Sequence, residues 1–279
     1  MVYYISEDKK RILKRIKVEG NNCKIAQLGE KEQKIEKVVR KMKQKEIKQV
    51  VLSKELKKNK NLIKKLNEYD ITILDGKWLM QHILKEIMEY LMGKQKIKDR
   101  DIAILANDLT NEVKQNIMEL ACKYKEIRIV TNHLEKVRRI EKELYKDSGI
   151  SLIITNNKRK ALSNSFLIIN FDFVQELINQ YSINEKAIVI NMSDTLKINK
   201  KRFCGFIIGD YEVEVSNFKE LNLLEITKKQ DDFYLKEILE EQIYSRFSGE
   251  KRPNFIEVRK IIENCDLRIK KIIGSNGVL

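Results

Sequence analysis

Three short polar runs could hold chemistry: Asn107-Asp108-Leu109-Thr110, Thr131-Asn132-His133 and Asn170-Phe171-Asp172. Each follows an apolar run, so each sits where a strand would hand over to a helix. Their side chains donate and accept hydrogen bonds but include no evident nucleophile, general base or metal set, so recognition of a polar ligand is the chemistry they suit. Asn107, Asp108, Thr131, Asn132, His133 and Asn170 are the candidate ligand-contacting residues. Arg138, with Lys136 and Arg139 beside it, is a cation able to meet a phosphate. The same residue types also cap helices and form turns, and for Asp108 and Thr110 capping is the simpler role. Of the two histidines, His82 lies on an apolar helical face and reads as structural, whereas His133 falls inside one of the polar runs.

Several common chemistries are excluded by inspection. A phosphate-binding P-loop needs two glycines five apart followed by Lys, and none of the 10 glycines has that spacing. Only Gly205 and Gly209 are four apart, and Ile207 rather than Ser lies between them, so there is no nucleophile elbow. No G-x-G occurs. Cys23, Cys122, Cys204 and Cys265 are too far apart in sequence for a C-x-x-C pair. Cys122, in an apolar helical pattern, and Cys204, in an apolar strand, are expected to be buried free thiols. With two histidines, H-E-x-x-H and a His-rich metal site are impossible, and no metal is expected.

The elements that would position the polar runs alternate in period. Asp101–Ala106, Ile127–Val130, Ile150–Ile154, Phe166–Ile169 and Ala187–Ile190 are near-continuous apolar strands. Amphipathic helices are expected between them at 109–124, 133–147, near 157–163 and at 173–180. This rhythm implies a parallel sheet covered on both faces, with right-handed crossovers: a doubly wound, Rossmann-like α/β domain over 94–218. Ligands bind such sheets at the carboxyl ends of the strands, at the switch point, which is where the three polar runs fall. Before it, residues 1–93 read as a smaller, basic α/β domain. Its expected strands are Lys14–Val18, Cys23–Leu28, Lys48–Leu52 and Asp70–Leu74. Its helices are 30–45, one capped by Ser53 with Leu56, Leu62, Ile63 and Leu66 inward, and 77–92. After it, Arg202–Ile208 and Tyr211–Val215 suit a hairpin about Gly209-Asp210. A helical C-terminal segment, 219–279, is expected to pack on the core.

The stretch Ile127–Leu144, with its strand, the turn Thr131-Asn132-His133 and an amphipathic helix, resembles the second β-α unit of shikimate dehydrogenases and glutamyl-tRNA reductases. Ala161–Asn170 resembles the segment of those enzymes where a strand ends at the nicotinamide side. The resemblance covers roughly residues 100–190. It implies a Rossmann domain, NADP as the possible cofactor, and oxidoreductase activity if the chain is an enzyme. The chain departs from the family at Ala106–Thr110, where the Gly-rich loop should sit and no glycine is found. Asp108 would there set a carboxylate against the pyrophosphate. A like-charge pair at ~4 Å and an effective dielectric of ~20 costs about 4 kcal/mol.

Charge adds a further expectation. Residues 1–100 hold 27 Lys/Arg against 14 Asp/Glu, and the rest hold 29 against 27. That asymmetry fits a nucleic-acid- or polyanion-binding face, but also a solvated lysine-rich surface, since 43 of the 56 basic residues are Lys. No apolar run is long enough to cross a membrane and the first residues lack a signal-like core, so a soluble cytoplasmic chain is expected. Three functions follow. The first is a dehydrogenase relative with altered or lost dinucleotide binding, taking a small ligand or protein partner at the Asn107/Thr131/Asn170 crevice. The second is a working NAD(P)-dependent oxidoreductase. The third is a polyanion binder acting through residues 1–100.

Overall fold

The computed structural model describes residues 2–7, 16–19, 32–94, 102–124, 126–149, 151–193, 196–199, 201–217, 232–247 and 254–279. The expected strand Cys23–Leu28 lies outside them. The chain forms two compact units, Met1–Leu79 with Glu214–Leu267, and Met80–Val213 with Arg268–Leu279.

The first unit is built on a sheet of order β2-β1-β3-β4, comprising β1 (Val2–Glu7), β2 (Ile16–Glu19), β3 (Gln49–Leu52) and β4 (Thr72–Ile73). β1 runs antiparallel to β2 and parallel to β3, and β3 is parallel to β4. β1 carries no alternating pattern and was not expected, yet it is central to this sheet. Helix α1 (Glu32–Gln44) buries Ile35, Val38, Val39 and Met42, the face its spacing predicts. Helix α2 (Lys60–Glu68) begins at Asn59, whose Oδ1 accepts the Leu62 N–H at 3.0 Å. Ser53 instead accepts the Leu56 N–H at 3.3 Å, opening a short 3-10 turn, Leu56–Lys58. These elements enclose Ile5, Val50, Leu52, Leu62, Leu66 and Ile71. Each fully buried side chain of this size contributes about 1.5–3 kcal/mol.

The helix expected over 77–92 is two helices, α3 (Lys77–His82) and α4 (Leu84–Lys94). α4 packs its apolar face on α5 (Asn111–Lys123), so the charged stretch after Gly93 does not separate it from the elements that follow.

The second unit holds β5 (Ile102–Leu105), β6 (Ile127–Val130), α6 (Leu134–Ser148), β7 (Ile153–Thr155), β8 (Leu167–Asn170), α7 (Gln175–Ile178), β9 (Ile188–Asn191) and β10 (Phe206–Val215). The helix expected near 157–163 is absent. Asn157 Oδ1 accepts the Arg159 and Lys160 N–H groups and makes a turn there instead. The strand order is β7-β6-β5-β8-β9-β10, and every neighbouring pair in that run is parallel. The chain winds outward from β5 through β6 to β7, then returns to β8 on the other side of β5. That order, 3-2-1-4-5-6 in strands counted from β5, defines a Rossmann-type sheet with its switch point between β5 and β8.

Two expectations fail beyond β9. Residues 202–215 are not a hairpin: β10 runs unbroken through Gly209 and Asp210, neither of which has the positive φ a tight turn requires. The segment 219–279 is not wholly helical. After α8 (Leu235–Arg246) and α9 (Phe255–Asn264) come β11 (Leu267–Gly274) and β12 (Gly277–Val278), which extend the sheet beyond β10. Alternation along Leu267-Arg-Ile-Lys carries that strand signal. Cys122 and Cys204 are exposed, and only Cys265 of the free thiols described is buried. Cys122 lies one residue off the apolar face of α5. Cys204 precedes β10 rather than forming part of it.

Candidate functional site

The parallel register brings the ends of β5, β6 and β8 to one edge of the second unit's sheet, and Asn107 ties them together. Its backbone N–H donates to both oxygens of Asp172, each at 2.9 Å, and its Oδ1 accepts the Asn132 N–H at 2.9 Å. The next amide, Asp108 N–H, donates to Asp172 Oδ2 at 2.6 Å. The three polar runs therefore lie together at this edge, with their loops bonded to one another.

Below this layer the side chains are buried and satisfied. Asn170 Oδ1 accepts the Phe173 N–H at 2.9 Å, and its Nδ2 donates to Phe173 O at 2.9 Å and to Asn191 Oδ1 at 2.8 Å. Thr131, also buried, accepts the His133 N–H through Oγ1 at 3.1 Å. Thr110 caps α5 by accepting the Val113 N–H at 3.3 Å, as expected. Asp108 does not cap. Its carboxylate meets Lys136 Nζ at 2.6 Å on the surface, and that bond and charge hold it below the usual carboxylate range. His133 is exposed at the start of α6 and makes no side-chain cap. Arg138 is exposed on α6 and paired with Glu135 at 3.2 Å.

The sequence candidates thus divide. Asn107, Thr131, Asn132 and Asn170 gather at the ends of β5, β6 and β8, Asp108 and Lys136 neutralise each other beside them, and Arg138 is paired with Glu135 on its own helix. Two residues outside the candidate set complete it. Asn191 is a buried partner of Asn170. Asp172, at the switch-point end of β8, occupies the amides of the β5 loop. An acidic residue two positions past an apolar strand was the available signal for Asp172, but only pairing to β5 shows what it faces.

A dinucleotide is the ligand this fold class implies, and its pyrophosphate would be met by the amides after β5. Those amides do not fit it as they stand. They are bonded to a carboxylate, the loop has no glycine to let a phosphate approach, and α5 starts only at Asn111. Among the described residues no group of three or more His, Cys, Asp or Glu side chains is placed to hold a metal ion. No described helix is long and apolar enough to cross a membrane.

The second unit is an α/β fold of the Rossmann type. No family model matches the chain, and no curated protein matches it. Among solved structures it is similar to 5-ketofructose reductase of Gluconobacter sp. strain CHM43, at 12% identity and a TM-score of 0.34, over 69% of this chain and 63% of that one. A shikimate dehydrogenase in complex with NADP+ is 14% identical with a TM-score of 0.33, over 84% of this chain and 82% of that one. An N-acetyl-L-ornithine transcarbamylase is 8% identical with a TM-score of 0.29, over 61% and 67%. The chain spans less than two thirds of the ketofructose reductase. These likenesses concern fold, and the variety of reactions among them assigns no activity.

Proposed function

We propose that the second unit is a dehydrogenase-type Rossmann domain whose phosphate loop is closed by its own Asp172, and that its crevice serves a small polar ligand without a pyrophosphate, or a protein partner. The observation that supports this reading is the pair of bonds from the Asn107 and Asp108 amides to the Asp172 carboxylate. Bonds to a charged group contribute about 1.5–3 kcal/mol each, so an incoming pyrophosphate has to displace about 3–6 kcal/mol of existing bonding. That corresponds to a loss of about two to four decades of affinity. The charge of Asp108 is the lesser obstacle, because Lys136 already neutralises it.

Thermal shift with NADH and NADPH tests the reading. The native chain is expected to show no shift at millimolar cofactor. Asp172→Ala, and more weakly Asp172→Asn, should gain one, whereas Asp108→Gly alone should not. Micromolar binding by the native chain would make it a working oxidoreductase and end this proposal.

A further inference from the structure

A cavity of about 660 Å³ follows the edge of the first unit's sheet, a size within the range of small-molecule sites. Ile71, Thr72 and Ile73 all line it. Successive side chains of a strand point to opposite faces, so a cavity touching three in a row runs along the strand's free edge. β4 is the outermost strand on that side of the sheet. Thr72 and Leu74 turn their N–H groups to Lys48 O and Val50 O on the β3 side, each at 2.9 Å. Alternation therefore turns the Ile73 N–H and C=O away from β3, toward the open edge.

One part of the lining is apolar. Leu52 and Ile71 are buried, and Ile63 and Ile73 pack partly buried against the same core. Charges of both signs line the rest. The Lys57 ammonium carries three N–H donors, bonds the buried carboxylate of Glu237 and lies 5.3 Å from the centroid of the Tyr234 ring. Asp75 spends Oδ1 on the Lys77 N–H at 3.0 Å, and its other oxygen has no hydrogen bond among the described residues. Lys57 and Asp75 both act electrostatically on Lys236 and on Glu237, which sets them at the same end of the cavity. The other acid of the lining, Asp70, is on the surface and faces Lys43 at 3.5 Å.

We propose that this cavity binds a free α-amino acid with an apolar side chain. The ligand's carboxylate takes the remaining N–H donors of Lys57, its ammonium takes the unbonded oxygen of Asp75, and its side chain lies against Leu52, Ile63 and Ile73. Bonds between charged partners of this kind are the stronger class of hydrogen bond. A zwitterion brings equal and opposite charges, so it leaves the local charge sum unchanged. Its fit rests on the one cation and the one acid that line the same end of the cavity, whatever other charges surround them. A simple carboxylate or a simple amine answers only one of the two and leaves the other without its ligand bond.

Calorimetric titration of the full chain with L-leucine, 4-methylpentanoate, 3-methylbutylamine and glycine tests the site. The second and third probes are leucine without its amino group and without its carboxylate, and glycine lacks the apolar side chain. Saturable binding of L-leucine is expected, with each of the other three weaker by about tenfold or more through loss of one charge-assisted bond or of the apolar contact. Asp75→Asn keeps an oxygen for the Lys77 N–H and should weaken L-leucine about tenfold while leaving 4-methylpentanoate unchanged. Asp75 is the residue to vary, because Lys57→Gln also strands the buried Glu237 and disturbs folding. The ligand series uses the native chain and decides the matter where Asp75→Asn does not fold. No binding of L-leucine or L-phenylalanine at millimolar concentration overturns the proposal. So does equal binding of L-leucine and 4-methylpentanoate, or equal binding of L-leucine by the native chain and a folded Asp75→Asn.

Discussion

The Asn170 side chain donates from Nδ2 to Asn191 Oδ1 at 2.8 Å, joining the carboxyl ends of β8 and β9 beneath the crevice. Both residues sit at the last position of their strands, and register pairs them directly. Asn170 is fully buried and also holds both backbone groups of Phe173, so it fixes the turn that delivers Asp172 to the β5 loop. Asn170→Ala should cost about 2–4 kcal/mol, since it removes three bonds and leaves buried partners unsatisfied. Urea unfolding measures that loss. A midpoint within error of the native one would show that the turn is held by other contacts.

The two aspartates of the crevice should behave differently. Asp108 is exposed and paired with Lys136, so Asp108→Asn should leave the unfolding midpoint almost unchanged. Asp172→Ala removes the acceptor of two backbone amides and should lower the midpoint clearly, even where it opens the loop to anions. Parallel denaturation curves of the two variants separate these effects, and equal destabilisation would contradict the assignment of Asp172 as the loop's anchor.

The first unit should be least stable near pH 8. Burial, reinforced by Asp75, raises Glu240 from 4.5 to about 8, so folding disfavours its ionised form. Its contribution is intact below pH 4.5 and is lost as pH rises from there to about 8. Burial lowers Lys236 from 10.5 to about 8 against the favourable charge of Glu237, so stability returns as pH rises from about 8 to 10.5. Glu237 is also raised by burial, with Lys57 opposing, and adds to the acid-side limb. Glu240→Gln should flatten the decline between pH 5 and 8 in a melting-temperature profile. An unchanged slope would remove Glu240 from the account.

Two glycines in and beside β10 should respond in opposite ways. A Cβ on Gly205 would strike the Ala187 carbonyl oxygen and the Phe203 ring, and the backbone oxygen cannot swing aside. Gly205→Ala should therefore cost about 1–3 kcal/mol. Gly209 has nothing within 4 Å of the added atom, so Gly209→Ala should be neutral or stabilise by about 0.5–1 kcal/mol through the reduced freedom of the unfolded chain. Thermal melts of both variants check the contrast.

Much of the second unit was legible because its strands are buried on both faces. Ile102–Leu105 and Phe166–Ile169 read as continuous apolar runs, and helices α5 and α6 between them keep a clear 3.6-residue period. The first unit was less legible. β1 carries Tyr3 and Tyr4 side by side rather than an alternating pattern, and β4 is only two residues long. In α8 the buried positions Ile238, Leu239 and Ile243 were legible, but not the burial of Lys236, Glu237, Glu240 and Glu241 beside them, where the Tyr4 hydroxyl donates to Glu241 at 2.6 Å. Burial and Glu241 together push the Tyr4 hydroxyl well above its usual range. The unbroken course of β10 was hidden by Gly209-Asp210, which is a turn signal only when the flanking strands pair with each other.

By itself the sequence determined the alternation of strands and helices, the direction of the second unit's sheet and the edge on which its polar loops gather. Those follow from local hydrophobic period and from the handedness of the crossovers, which need no knowledge of distant partners. Tertiary structure alone decided that Asp172 fills the amides after β5, that Asp108 turns to Lys136, and that three lysines separated by as many as 182 positions meet at Tyr234. Charges and hydrogen-bonding groups act over a few ångströms of space, and separation along the chain does not encode which of them will be that close.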